Sequence, residues 1–255
     1  SLGKPGEFYS EELLYQMFGV NAELLIDHAW GYEPCTIAQI RAYKPQSSSL
    51  GCGQVLPCPY TADKARIVVQ EMIDGISLEL VEKRLVTDQL VLTVGYDIEN
   101  LTRPEIRKVY KGPVTTDRYG RRVPKHAHGT WNLPRATSSS SELLEAMAAL
   151  YDKIVNPALL IRRMSLSACH VVNEKMAKER EQKETFEQLD LFTDYAKKEA
   201  KEKEEQKKRE RERRMQEALL TIKKKYGKNA VLRGMNFEEG ATAKERNGQI
   251  GGHQA

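Results

Sequence analysis

Apolar residues recur along this chain with two different periods. From Gln89 to Ile98 every second residue is apolar: Leu90, Leu92, Val94, Tyr96 and Ile98 point one way, and Gln89, Thr93 and Asp97 the other. A period of two marks a strand with one buried face. Residues 159–172 alternate likewise, with Met164, Leu166 and Ala168 turned inward and Arg163, Ser165 and Ser167 outward. Between Thr61 and about Leu85 the period lengthens. Ala65, Val68, Val69, Met72, Ile73, Ile76 and Leu80 follow the i, i+3, i+4 spacing of a helix with one buried stripe. Leu143, Met147, Leu150 and Ile154 repeat that spacing over 142–154, behind the serines of 138–141, which are suited to cap a helix. A Ser/Gly-rich stretch from Gln46 to Leu56, ending at Pro57, reads as an edge strand, and 125–133 as another strand. The order is strand, helix, strand, strand, helix, strand. It predicts an α+β fold: a four-stranded antiparallel sheet with two helices on one face and the other face wet.

The flanks follow other patterns. Ser10 with Glu11 and Glu12 marks a helix start. Leu13, Leu14, Met17 and Phe18 form its stripe, and Gly19 ends it. A second short helix carries Leu24, Leu25, His28 and Ala29 and stops at Gly31 and Pro34. This is a helical hairpin, which on pattern alone is a packing module. Beyond residue 172 the core pattern disappears. Of the 18 residues from Lys197 to Arg214, 16 are charged, and Glu199/Lys203, Glu204/Lys208, Glu205/Arg209 and Glu210/Arg214 are i, i+4 pairs. Such pairs support an isolated helix by about 0.3 kcal/mol each. The prediction is a solvated, frayed helix over 196–226, followed by a flexible tail over 227–255.

Composition narrows the class. The 255 residues are 30% charged with a net charge of +4, and no apolar run is long enough to cross a membrane. Four cysteines are too few and too scattered for a disulfide scaffold, and no signal peptide is visible, so the expected location is the cytoplasm. The charge is segregated. Residues 103–135 carry nine Lys and Arg against two acids, a local +7. That block is either a solvated loop or a surface for phosphate backbones.

A search for catalytic chemistry finds none. Cys52 and Cys58 are five residues apart, without a CxxC; His126 and His128 share a strand face but have no acidic or thiol neighbour; His28 and His170 read as packing residues. No phosphate-binding or dinucleotide loop is present. Asp88, Asp97 and Glu99 are too dispersed along their strand to hold two metals. The sequence therefore offers no catalytic residue and no metal ligand. The pentapeptide Gln188-Leu189-Asp190-Leu191-Phe192 is different: large apolar side chains in an acidic stretch with no core of its own to join. It reads as a peptide that docks into a partner's cleft, the alternative being that it folds back on the domain.

These residues carry a family resemblance. QLDLF resembles the clamp-binding pentapeptide of bacterial polymerases and repair proteins. There Gln188 would bond at the pocket edge while Leu189, Leu191 and Phe192 fill the apolar cleft of the sliding clamp. The stretches LVLTVGYDIENL, VPKHAHGT and ETFEQLDLFTDY resemble the little finger and tail of Y-family translesion DNA polymerases of the UmuC/DinB group. LLYQMFGVNAELLIDHAWGYEP resembles the end of that family's thumb. The resemblance spans about residues 1–250. It implies a chain that starts inside the thumb and lacks the palm, whose carboxylates hold Mg²⁺ for nucleotidyl transfer. Polymerase activity would then belong to a parent protein, with no cofactor in this chain.

The implied organisation is the thumb end over 1–40, the little finger over 41–173, a linker with the clamp motif over 174–195, the charged helix over 196–226 and the tail over 227–255. The implied DNA contacts are cations Lys44, Arg103, Arg107, Lys108, Lys111, Arg118, Arg121, Arg122, Lys125 and Arg135, with directed contacts from Ser47, Ser48, Ser49, Thr137, Ser138 and Arg163. The serines and glycines of the first strand stand where many relatives place Lys or Arg. Expected partners are damaged primer–template DNA and the bacterial sliding clamp, with the chain a monomer. Two alternatives stay open. One is a stand-alone, non-catalytic DNA-binding adaptor that recruits partners to the clamp. The other is an interaction protein whose charged helix binds acidic partners or RNA.

Overall fold

A computed structural model of the chain describes residues 10–43, 48–117, 120–184, 195–250 and 253–254. Lys44, Ser47, Arg118 and the motif residues Gln188, Leu189, Leu191 and Phe192 lie outside the described residues. The chain divides into two units at Gln46/Ser47.

The first unit is helical. Helices α1 (Glu11–Phe18) and α2 (Asn21–Ala29) pack on each other around Leu14 and the fully buried Ala22. Gly19 turns the chain between them with φ +57° and ψ −143°, a conformation that favours glycine. A capping box starts α3 (Ile37–Ala42): the Gln39 amide N–H donates to Thr36 Oγ1, and the Thr36 amide donates to Gln39 Oε1 at 2.8 Å. His28, expected to pack, is half exposed and lies 2.7 Å from the Glu33 carboxylate.

The second unit is mixed α+β around one antiparallel sheet. Strands β1 (Leu50–Tyr60), β2 (Leu85–Tyr96), β5 (Ala127–Thr137) and β6 (Ile161–Cys169) stand in the order β1-β6-β2-β5. A two-residue strand, β7 (Val172–Asn173), pairs with the start of β2 and makes a fifth. Helices α4 (Ala62–Lys83) and α7 (Ser140–Ile154) pack on each other and on the sheet. All seven apolar residues of the α4 stripe are buried, as are Leu143, Met147 and Leu150 of α7 and Leu90, Leu92, Val94, Met164, Leu166 and Ala168 of the sheet. At about 25 cal/mol per Å² of apolar surface removed from water, this layer dominates the stability of the unit. Tyr151 Oη donates to the Ala62 carbonyl at 2.7 Å and ties the C-terminal part of α7 to the start of α4. Gly129 lies beneath α7, where an added Cβ would stand 2.7 Å from Ile154 Cγ2.

The strand between α4 and the basic block begins at Leu85 rather than Gln89 and ends at Tyr96, short of Ile98. Its end is set by Asp97. Instead of facing solvent, this residue is buried, and its carboxylate accepts the Glu99 amide at 2.8 Å. Asn100, fully buried, donates to the Asp97 and Leu160 carbonyls and accepts the Leu160 amide at 2.7 Å. Strand β1 continues through Pro57 and Pro59 because it is an edge, and its register against β6 is interrupted between Val55 and Tyr60.

The largest departures lie at the C-terminal end. Helix α8 (Glu174–Glu184) follows β7, and α9 spans Tyr195–Tyr226. The reading of α9 as a solvated helix fails over its C-terminal half, which packs on α4. Gln216 is 1% exposed, and its Nε2 donates to the Ser138 carbonyl at 3.0 Å and to Ser140 Oγ at 2.8 Å. Ser140 Oγ lies 2.6 Å from Ser77 Oγ, so a buried polar chain joins α4, α7 and α9. The Glu212 carboxylate accepts Ser139 Oγ, the Ser141 amide and Ser141 Oγ at 2.7–2.9 Å, which caps α7 from another element.

The flexible-tail expectation fails too. Residues 227–248 lie along α4 and β1, with a 3₁₀ turn at Gly234–Phe237 and α10 at Ala243–Arg246. The buried Glu71 carboxylate accepts the Thr242 amide at 2.8 Å, the Ala243 amide at 3.0 Å and Asn236 Nδ2 at 2.7 Å. Arg233 pairs with Asp74 at 2.8 Å, and Arg246 donates to Gln54 at 2.8 Å. Gly240 (φ +98°) makes a close approach, where an added Cβ would stand 2.9 Å from Lys64 Cβ. These attachments are polar and distributed, which is why apolar periodicity misses them.

Candidate nucleic-acid interface

With both core helices on one side, the other side of the sheet is exposed or part-exposed among the described residues along its registered rows, except at Gly95. One row reads Gly53, Ser165, Thr93, His128 across β1, β6, β2 and β5; the next reads Gly51, Ser167, Val91, Thr130. Val55, Arg163 and Gly95 share a third row, and Cys169, Gln89 and Asn132 a fourth. No Asp or Glu occupies any of these positions. Two hydrogen bonds organise the face: Thr93 Oγ1 lies 2.9 Å from His128 Nδ1, and Gln89 Nε2 donates to Asn132 Oδ1 at 2.9 Å. Gly51 and Gly53 keep the β1 edge low, so a rod-like ligand could lie against backbone as well as hydroxyls.

Arg163 is the cation of this face. It is exposed, and its side chain lies over Gly95, where an added Cβ would stand 2.6 Å from Arg163 Cγ. The absence of a side chain at 95 allows the guanidinium to lie along the sheet.

The described residues of the basic block form ordered structure rather than an open loop. It folds into α5 (Glu99–Thr102), α6 (Pro104–Val109) and the hairpin of β3 (Val114–Thr116) with β4 (Arg122–Pro124). Ile106 and Tyr110 pack against the core, Tyr110 Oη donates to the Pro113 carbonyl at 2.8 Å, and the Lys125 amide donates to the same carbonyl. The block is thereby fixed where β2 ends and β5 begins, the end of the sheet that also holds Arg163.

The residues expected to touch DNA divide into two groups. Arg107, Lys108, Lys111, Arg122, Lys125 and Arg163 are exposed and make no ion pair among the described residues. Among the other described residues, all but Ser49 are engaged within the protein. Arg103 pairs with Glu99, Arg121 with Asp117, and Arg135 with Glu142. Ser48 Oγ donates to the Val171 carbonyl, with Ser49 exposed beside it. Thr137 is 7% exposed and its hydroxyl accepts the Ser139 amide. Ser138 accepts Arg213 and Gln216 from α9. Ser138 therefore lies in the α9 joint, with the buried Thr137 next to it in the chain, at the far end of β5 from the basic block. His170, expected to pack, is exposed with Nδ1 2.9 Å from Asp88. Sequence reasoning misses His128, Thr130 and Asn132 as part of the open face; their alternation with Ala127, Gly129 and Trp131 is the signal that could have found them.

Among the described residues no three His, Cys, Asp or Glu side chains gather where a metal could sit. No helix among them is long and apolar enough to cross a membrane. Neither models of known protein families nor curated proteins match the chain.

Proposed function

We propose that this chain is the DNA-holding and clamp-recruiting C-terminal portion of a Y-family translesion DNA polymerase, with the second unit as its little finger. The observation that carries the reading is the acid-free polar face of the sheet, with Arg163 at one end beside the unpaired cations of the basic block. Hydroxyls, amides and cations donate to phosphate oxygens without reading base edges. A surface of that kind grips sugar–phosphate backbone whatever the base, which tolerance of a damaged template requires. The first unit would be the thumb end, and the pentapeptide Gln188–Phe192 would bind the sliding clamp and raise the local concentration of the domain at the primer end. The reading of a stand-alone DNA-binding adaptor uses the same surfaces and differs only in what precedes the chain.

The test is direct. Replacing Arg107, Lys108, Lys111, Arg122 and Lys125 together with Ala should weaken primer–template binding. It should also flatten the log–log dependence on salt by about 0.9 for each phosphate that is no longer neutralised. Unchanged affinity and slope would remove the reading. Leu191→Ala with Phe192→Ala should abolish capture by a purified bacterial sliding clamp while leaving DNA affinity intact.

A further inference from the structure

Docking fixes the rotation of α9 and thereby decides which of its many charges face outward. Glu212, Arg213, Gln216, Leu219, Leu220 and Lys223 form the face turned to the domain, centred on the buried Gln216. At 100° per residue the opposite face carries Lys203, Lys207, Arg211, Arg214 and Lys225, with Ala218 and Thr221 completing the row. All are exposed. No acid falls on that row; Glu204, Glu210 and Glu217 lie to its sides. Lys207 and Arg211 make no ion pair among the described residues, and Arg214, 80% exposed, touches Glu210 only at 4.0 Å. A helix that reads along the chain as evenly mixed in charge is, once docked, sorted into an anchored face and a basic one.

We infer that the outward face of α9 is a second phosphate-binding track, separate from the sheet face and basic block, and that its ligand is the DNA backbone. The inference rests on the DNA-binding reading above and extends it to an element that reading does not use. Charge complementarity selects the ligand. Neighbouring cations at i, i+3 and i, i+4 stand about 5–6 Å apart in one line. From Lys203 to Arg214 the line runs about 16 Å at 1.5 Å per residue, while duplex DNA offers one negative charge per about 1.7 Å of axis. Because the helix is anchored through Gln216, Glu212 and Arg213, the cations are held as a rigid row, so less conformational freedom is lost on binding than for a free basic tail.

The experiment measures the affinity of the full chain for primer–template DNA across a salt series. The variants are Lys207→Ala, Arg211→Ala and Arg214→Ala combined, and Lys207→Arg, Arg211→Lys and Arg214→Lys combined. The first set should lose affinity by on the order of tenfold and flatten the salt slope by up to about 2.7; the second should bind as the unaltered chain does. All three positions are exposed, so thermal unfolding should not move. If the Ala set binds with unchanged affinity and slope while removal of the basic-block cations still weakens binding, the second track is wrong and the sheet reading stands. If the unaltered chain binds no DNA, both fall. If polyglutamate rather than DNA competes at the α9 row, the ligand is an acidic peptide and this assignment is overturned.

Discussion

Helix α4 has two sides that hold their neighbours by different physics. Its inner side presents Ala65, Val68, Val69, Met72, Ile73, Ile76 and Leu80 to the sheet and α7, all buried and apolar. Elsewhere on the helix it presents Lys64, Glu71, Asp74 and Glu82, and the partners there are α9 and residues 227–248. The inner attachment is non-directional and scales with area. The outer one is built from hydrogen bonds and ion pairs, each worth little net, yet costly if one partner is removed and the other left buried. Damage on the inner side should therefore unfold the unit, whereas damage on the outer side should release the C-terminal segment and leave the sheet standing.

Truncation in the core tests the first half. Leu92→Ala, at a position with no exposure between both core helices and the sheet, should cost about 2–5 kcal/mol in global stability by denaturant titration. Loss of only α9 protection, with the sheet intact, would contradict the contrast. On the outer side Glu71→Ala leaves three donors of residues 236–243 without their acceptor and should cost about 1–3 kcal/mol. That loss should appear as faster amide exchange over 227–248 before any change in the sheet. Gln216→Ala removes two buried donations and should cost about 1–2 kcal/mol, confined in the same way to α9.

Glu212→Gln is milder, since one acceptor oxygen stays at the α7 N-terminus; about 0.5–1 kcal/mol is expected, falling with added salt. Asp74 should behave in the opposite sense. Burial pushes its carboxyl above the usual aspartate value, against the lowering by Arg233. The folded state therefore binds this proton more tightly than the unfolded chain, and the site's contribution to stability grows as pH falls from neutral into the carboxylate range. Asp74→Asn should leave stability at pH 7 unchanged or slightly raised, and should flatten the pH dependence through that range. A clear loss at pH 7 would show that the Arg233 pair outweighs the desolvation.

The same contrast accounts for what is legible in the sequence. The α4 and α7 stripes and the alternation of β2 and β6 are apolar signals with fixed periods, and they locate the core and the open face from the residues alone. Thr137 and Ser138 resemble the other hydroxyls of that face in sequence, yet Thr137 is buried with its hydroxyl on the Ser139 amide, and α9 returns to engage Ser138. Arg103, Arg121 and Arg135 are indistinguishable in sequence from Arg107 and Arg122; only their neighbours in space show them neutralised by Glu99, Asp117 and Glu142. The anchoring of α9 has a faint signal in Leu219 and Leu220, too short a stripe to outweigh 16 charges in 18 residues.

Sequence alone thus determined the order of elements, the buried face of each and the concentration of cations between β2 and β5, because burial of apolar surface imposes its period locally. Tertiary structure decided which cations stay unpaired, which hydroxyls remain on the open face and which side of α9 looks outward. Those outcomes depend on directional bonds between residues far apart in the chain, such as Gln216 with Ser138 and Glu71 with Thr242, and a hydrogen bond leaves no period in the residues that make it.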